Sequence, residues 1–284
     1  MNQINRKITS LKVGTVEIKV NNISLIKNFY TSVLGLEILS ESTKSITLGQ
    51  NKTPLLIVHQ REDLAQAHPS EAGLYHIAML YSSRASLART IEHILKHAPQ
   101  HFSGTGDHLV SEAFYFYDPE GNGIELYFDR DRTEWQWENG QIKMAALYID
   151  PVKYIQSNLV IDDGKTEIAM GHIHLRVGDI NKAKQFYVDA LGFDVTAELP
   201  GALFVSIGGY HHHIGMNTWE SLAAVERYDS LGLHSFELII PQKEEIDSLK
   251  IRLENNNVKY NEIDGYILFY DPWKNQIKIK SEQK

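Results

Sequence analysis

Short alternating runs punctuate the chain. Thr15-Val16-Glu17-Ile18-Lys19-Val20 places Val16, Ile18 and Val20 on one side and Thr15, Glu17 and Lys19 on the other. That is the period-two pattern of a strand with one buried face. His172-Ile173-His174-Leu175-Arg176-Val177 repeats it later. A segment of helical spacing follows each run; in the first, Ile23, Ile26, Phe29, Tyr30 and Val33 recur on one face. Helices are predicted at roughly 22–34, 84–98, 179–190 and 243–256, the last with a less regular stripe of Ile246, Leu249, Ile251 and Leu253. Strand, helix and three further strands describe residues 12–60, 73–130, 169–218 and 231–281. The apolar side of each first strand is expected to pack on its helix. The polar side then faces an interior where a site could form.

Two motifs recur at nearly constant spacing. Phe29-Tyr30 with Leu34-Gly35 and Phe186-Tyr187 with Leu191-Gly192 both read F-Y-x-x-x-L-G and lie 157 residues apart. Asp118-Pro119 and Asp271-Pro272, in FYFYDPEGNGIELYF and ILFYDPWKNQIKIK, lie 153 residues apart. The first motif reads as packing, an aromatic pair locking helix to sheet with Gly ending the helix. The second reads as a hairpin turn. The fold class is therefore α+β: four βαβββ modules in two tandem halves, with curved mixed sheets forming half-barrels. The halves are placed at 1–130 and 169–284. Residues 131–168, charged and carrying Asp162-Asp163-Gly164, read as a connector with a short ordered element around Met144–Tyr154.

The chain has 284 residues, enough for a substantial core without cross-links, and no cysteine, so neither disulfides nor thiolate metal sites exist. The N-terminal stretch lacks the apolar run of a signal peptide, and no stretch reaches membrane-spanning length. A cytoplasmic protein without a membrane partner is the expectation. A net charge of −8 with scattered basic residues argues against nucleic acid as a partner. Histidine is the unusual component, with 13 residues, three of them consecutive at His211–His213.

The pattern H-x-x-L-R-V-x-D, then F-Y-x-x-x-L-G, then D-P-x-G-N-x-I-E resembles the vicinal-oxygen-chelate superfamily of glyoxalases, bleomycin-resistance proteins and extradiol dioxygenases. GLYHIAML, GDHLVSEAFYFYDPEGNGIELYFDR, MGHIHLRVGD and GGYHHHIGMNTW together resemble bacterial proteins of the catechol 2,3-dioxygenase type. The resemblance covers nearly all of the chain outside the connector. It implies that each module can offer a metal ligand at the start of its first strand and in the middle of its fourth. Aligned on V-x-D and on D-P-x-x-N-x-I-x, the first positions are Thr15, His76, His172 and His234. The fourth-strand positions are Glu125 in module two and Lys278 in module four. Module three offers His211-His212-His213, of which alternation points His211 and His213 to the interior, and module one offers only His59. Lys278 departs from the family pattern, because an ammonium cannot ligate a metal.

Two ligand sets follow. In one, His76, Glu125, His172 and His213 build a single site from modules two and three. In the other, modules three and four supply His172 and His234 with a third ligand such as His213. Two histidines and a carboxylate suit ferrous oxygen chemistry, and the first set provides them without Lys278. The resemblance thus implies an enzyme, a metal-dependent extradiol dioxygenase of aromatic catabolism. It would cleave a catechol-like aromatic with dioxygen, using Fe(II), or Mn, Zn or Ni. His213, His174, Tyr127 and His108 are the candidates for catalytic proton transfer or hydroxyl positioning. The competing readings are a glyoxalase-like metal lyase or isomerase and a metal-free protein that binds a small molecule such as an antibiotic. Homo-oligomerisation is left open.

Overall fold

The computed structural model describes residues 7–159 and 166–282; Asp162-Asp163-Gly164 of the connector lies outside them. The four modules are present. Module one has strands β1 (Lys12–Val20), β2 (Glu37–Glu41), β3 (Ser45–Gln50) and β4 (Thr53–Gln60) with helix α1 (Ile23–Asn28). Module two has β5 (Gly73–Tyr81), β6 (Phe102–Asp107), β7 (Ser111–Tyr117) and β8 (Gly123–Asp129) with α2 (Arg84–His97). The connector forms a two-stranded ribbon, β9 (Trp137–Glu138) and β10 (Gln141–Ile142), and helix α3 (Pro151–Asn158). Module three has β11 (Ile168–Arg176), β12 (Asp194–Leu199), β13 (Ala202–Ser206) and β14 (Ile214–Asn217) with α4 (Ile180–Lys184). Module four has β15 (Gly232–Ile240), β16 (Tyr260–Ile263), β17 (Tyr266–Tyr270) and β18 (Gln276–Ser281) with α5 (Lys243–Asn255).

The strands form two eight-stranded mixed sheets, ordered β16-β17-β18-β15-β1-β4-β3-β2 and β12-β13-β14-β11-β5-β8-β7-β6. In modules two to four the first strand runs parallel to the fourth, as β5–β8, β11–β14 and β15–β18, and the remaining pairs within these modules are antiparallel. The chain divides into two compact units: Ile18–Leu64 with Tyr75–Gly171, here the N-terminal unit, and Met1–Glu17 with Ala65–Leu74 and His172–Lys284, the C-terminal unit.

The recurrent motifs acquire physical roles. Asp179, the Asp of V-x-D, caps α4: its side chain accepts from the Lys182 N–H at 3.0 Å. Asn22 does the same for α1 and Ser83 for α2. F-Y-x-x-x-L-G is a wide helical turn continuing α1 over Phe29–Val33 and α4 over Gln185–Ala190. Gly35 and Gly192 end these turns at φ of 77° and 85°, where a side chain would be strained. The tyrosine of each motif reaches the Asp-Pro turn of the next module. Tyr30 Oη donates to Asp118 Oδ2 at 3.5 Å in the N-terminal unit, and Tyr187 Oη to Asp271 Oδ2 at 3.0 Å in the C-terminal unit.

Both aspartates organise their turns identically. Asp118 Oδ1 accepts from the Glu120 and Asn122 N–H groups, and its Oδ2 from Asn122 Nδ2. Asp271 accepts from Trp273, Asn275 and Asn275 Nδ2 in the same way. The two motifs are thus halves of one clasp within each unit. Glu120 adds a second link: its carboxylate accepts from the Asn21 and Asn22 N–H groups at 2.7 and 2.6 Å, just ahead of α1.

The cores follow the alternation. In the N-terminal unit Ile77, Met79, Ile124 and Leu126 are fully buried, as are Leu87, Ile91 and Ile94 of α2. In the C-terminal unit Phe236, Leu238, Ile277 and Ile279 are buried together with Leu249 and Leu253 of α5. The opposite faces of these strands carry the chemistry.

Candidate metal centre

In the N-terminal unit β5 and β8 present His76 and Glu125 on the face away from α2. Their register pairs Ala78 with Glu125. Alanine at that position leaves the carboxylate room, and His76, two residues earlier on the same face, reaches it. His76 Nε2 lies 2.9 Å from Glu125 Oε2, with both side chains buried. A buried carboxylate is costly without a cation or donors. Two donors at right angles about 2.1 Å from one ion stand about 3 Å apart, so the pair fits adjacent ligands of a divalent metal.

Glu125 is flanked by a residue the sequence reading missed. Tyr115 lies directly opposite Glu125 in the β7–β8 hairpin. Its ring is 5.6 Å from that of His76. Burial, the Glu125 charge and a hydrogen bond to Glu125 hold the Tyr115 phenol well above its ordinary range. Beyond it, His108 Nε2 is 2.6 Å from Tyr115 Oη, and His108 Nδ1 is 2.6 Å from the Ala145 carbonyl oxygen. The carbonyl only accepts, so Nδ1 carries a proton. The single Tyr115 proton serves either the carboxylate or His108 Nε2. Tyr127 is fully buried with Ala78 and Ala113, its hydroxyl close over Gly171; a Cβ on Gly171 would come 1.8 Å from that oxygen.

In the C-terminal unit β11 carries His172 and His174 on one face, while Ile173 and Leu175 turn into the core. His174 is opposite Gly215 in β14, as Ala78 is opposite Glu125 in β8. His172 therefore occupies the register position of His76, and Gly215 that of Glu125. The three consecutive histidines stand in the segment before β14 rather than within it, so strand alternation does not sort them, and all three are buried. His213 Nδ1 accepts from the Ile207 N–H at 3.3 Å. His212, which alternation directs away, has its ring centroid 4.1 Å from that of His172, against 6.0 Å for His211. His211 Nδ1 and His212 Nδ1 are 2.7 Å apart, so one donates and the other accepts. His174 Nε2 is 3.0 Å from Asn217 Nδ2.

Module four is built differently. Glu237 is opposite Lys278, so the register position of His76 falls on Ser235; His234, one residue earlier, is exposed. Lys278 does not carry an uncompensated charge: its ammonium pairs with Glu17 of β1. Lys280 pairs with Glu237 at 2.7 Å. Ion pairs thus occupy this face of the C-terminal unit.

The description Glyoxalase/Bleomycin resistance protein/Dioxygenase superfamily matches residues 12–126 and 169–279, and the chain belongs to this superfamily. A Bacillus subtilis (strain 168) protein named catechol-2,3-dioxygenase is 34% identical over 270 residues, 92% of this chain and 93% of that protein. Among solved structures, a provisionally assigned dioxygenase of Bacillus subtilis subsp. subtilis str. 168 superposes with a TM-score of 0.66 at 11% identity, over 97% of this chain and 86% of that one. Glyoxalase I from Zea mays gives 0.57 at 13% identity, over 95% and 92%. At these identities the two structural likenesses speak to the fold. Among the described residues no helix is long and apolar enough to cross a membrane.

Proposed function

We propose that this chain is a metal-dependent extradiol-type dioxygenase that opens the ring of a catechol-like aromatic with dioxygen, with His76 and Glu125 as ligands of Fe(II). The observation that carries the reading is the buried His76–Glu125 pair at 2.9 Å. It stands at the two positions where the superfamily offers ligands, and His172 repeats the first of them in β11. Histidine and carboxylate, both buried here, are donor types that suit Fe(II) with open positions. The name of the Bacillus subtilis relative, similar over nearly the full length of both chains, supports catechol as the substrate class.

When bound, the ion supplies Lewis acidity that lowers the pKa of a phenolic hydroxyl and access to dioxygen chemistry. The chain's own residues handle protons and orientation. His108 and Tyr115 form a hydrogen-bonded path for a proton ending at Glu125. Tyr127 packs on Ala78 and Ala113 and fills the space over Gly171. His174 and His213 stand on or next to the β11–β14 face, where a hydroxyl or a ring-opened product needs polar partners.

The test is anaerobic purification, metal analysis and addition of catechol under air. About one iron per chain, oxygen uptake and a yellow ring-cleavage product are expected, and Glu125→Gln is expected to lose both metal and product. Tight aromatic binding without stoichiometric metal or oxygen uptake would instead mark a binding protein. A divalent metal other than iron, with isomerase activity on a thiohemiacetal, would mark the glyoxalase-like reading.

A further inference from the structure

We propose that connector residues 145–149 form a positioning strap that fixes the proton of His108 on Nδ1 and so makes His108 Nε2 the acceptor for the Tyr115 hydroxyl. The strap, His108, Tyr115 and Glu125 all belong to the N-terminal unit. Only the consequence for a metal held by Glu125 rests on the function proposed above.

β6 is the last strand of its sheet, and a bare edge there would leave backbone groups unmatched. The connector closes it. The Asp107 N–H donates to the Leu147 carbonyl at 2.8 Å, and the Leu147 N–H donates back to the Asp107 carbonyl at 3.0 Å, an antiparallel pair. Two residues away on each strand, Thr105 Oγ1 donates to the Ile149 carbonyl at 2.9 Å and accepts from the Ile149 N–H at 3.1 Å. The same antiparallel register carries residue 145 past the end of β6 to the turn that holds His108. There the Ala145 carbonyl accepts from His108 Nδ1 at 2.6 Å. The turn is itself fixed. The His108 N–H donates to the Ser111 carbonyl at 2.9 Å, and Asp107 Oδ1 accepts from the Leu109 N–H at 2.9 Å.

A carbonyl oxygen only accepts, so the docked strap requires the proton on Nδ1. A neutral imidazole has one N–H, which leaves a lone pair on Nε2, 2.6 Å from Tyr115 Oη. The Tyr115 proton then has an acceptor other than Glu125. The opposite tautomer reverses the arrangement. An Nε2–H would donate to the phenol oxygen and turn the phenol proton onto Glu125, whose lone pairs a metal needs. Glycine at 106 admits the ring, since a Cβ there would come 2.7 Å from His108 Cε1 and Nε2. A main-chain carbonyl of the connector thus sets, through His108 and Tyr115, how available the Glu125 carboxylate is.

The test is the two-bond 1H–15N spectrum of the metal-free full chain labelled with 15N-histidine, with His108 identified by its loss in His108→Gln. Wild type is expected to show the Nδ1–H tautomer. Leu147→Pro deletes the Leu147 N–H. It is expected to bring in the Nε2–H tautomer and to weaken binding of Co(II), an air-stable stand-in for Fe(II), about tenfold, as loss of an outer partner of a ligand does. Thr105→Val keeps the side-chain shape, removes both Ile149 contacts and is expected to move both readings the same way by less; it carries the test if Leu147→Pro does not fold. In a Tyr115→Phe background no phenol proton competes for Glu125, and Leu147→Pro is expected to leave Co(II) affinity unchanged. An Nε2–H tautomer in wild type would overturn the proposal. So would an Nδ1–H tautomer that both variants leave untouched, or an equal loss of Co(II) affinity with and without the Tyr115 hydroxyl. Absence of Co(II) binding in wild type would refute the metal reading instead, and the spectrum of the metal-free chain still decides the strap.

Discussion

Asp118→Asn isolates the electrostatics of the clasp that joins the F-Y motif to the Asp-Pro turn. Four donors surround the Asp118 carboxylate, but burial outweighs them and raises its pKa from the ordinary 3.8 to about 6. At pH 7 the carboxyl is ionised in both the folded and the unfolded chain, and the fold bears the desolvation cost. As pH falls through 6 the folded protein takes up a proton that the unfolded chain still refuses, so this group's contribution to stability rises. The rise ends near pH 4, where the unfolded carboxyl also protonates. A shift of about two units at 1.36 kcal/mol each makes the gain about 3 kcal/mol. Asparagine keeps an acceptor for the two turn N–H groups but does not titrate. It adds only a pH-independent offset from the lost Asn122 Nδ2 contact. Urea unfolding of wild type and Asp118→Asn at half-unit steps from pH 4 to 7.5 reads the difference directly, since other titrating groups cancel. The wild type is expected to gain stability relative to the variant as pH is lowered. A difference that stays flat across this window, or that grows in the opposite direction, would refute the reasoning that burial dominates the four donors.

The equivalent tyrosines should differ. Tyr187→Phe removes a 3.0 Å hydrogen bond to a buried carboxylate and should cost about 2 kcal/mol in urea unfolding, whereas Tyr30→Phe removes a contact at the 3.5 Å limit and should cost about 1 kcal/mol or less. Equal costs would show that the distances do not report strength. Lys278→Met leaves the largely buried Glu17 without that cation and should destabilise the chain by about 2 kcal/mol; Glu17→Gln in the same chain should recover part of it, and no recovery would count against the pairing. Glu120→Ala removes two backbone acceptor contacts ahead of the short helix α1 and should cost about 1 kcal/mol. Hydrogen exchange at the Asn21 and Asn22 amides should accelerate selectively, and uniform acceleration across the unit would mean a different role.

The module boundaries and motifs were legible because they are local: period-two strands, a capped helix and an Asp-Pro turn announce themselves within a few residues. His76, Glu125 and His172 could be placed for the same reason, by counting from Asp179 and from the turn. Tyr115 was within reach too. A hairpin turning over Asp118–Asn122 puts residue 115 opposite 125, so counting back across the turn would have found it. The His211–His213 segment was not legible, since alternation applies only to strands and these residues precede one. The register position in module four fell one residue from His234 because no turn marks the start of β15. The partner of Lys278 was invisible for a plainer reason: Glu17 is 261 residues away, and no local pattern encodes such a contact.

That separation bears on how the protein is made. Residues 9–17 find partners near the other end of the chain: Thr9 bonds Glu245, Lys12 pairs with Glu282 at 2.9 Å, and Glu17 pairs with Lys278. On the ribosome, this segment must wait for residues 236 to 270 positions further along before its polar groups are matched. Such closure of long loops slows folding. Until it occurs, the first six residues of β1 leave the ribosome long before their partners in the C-terminal unit exist. The order of synthesis thus makes this strand the segment most exposed to mispairing in a nascent chain, and the one a chaperone would have most reason to cover.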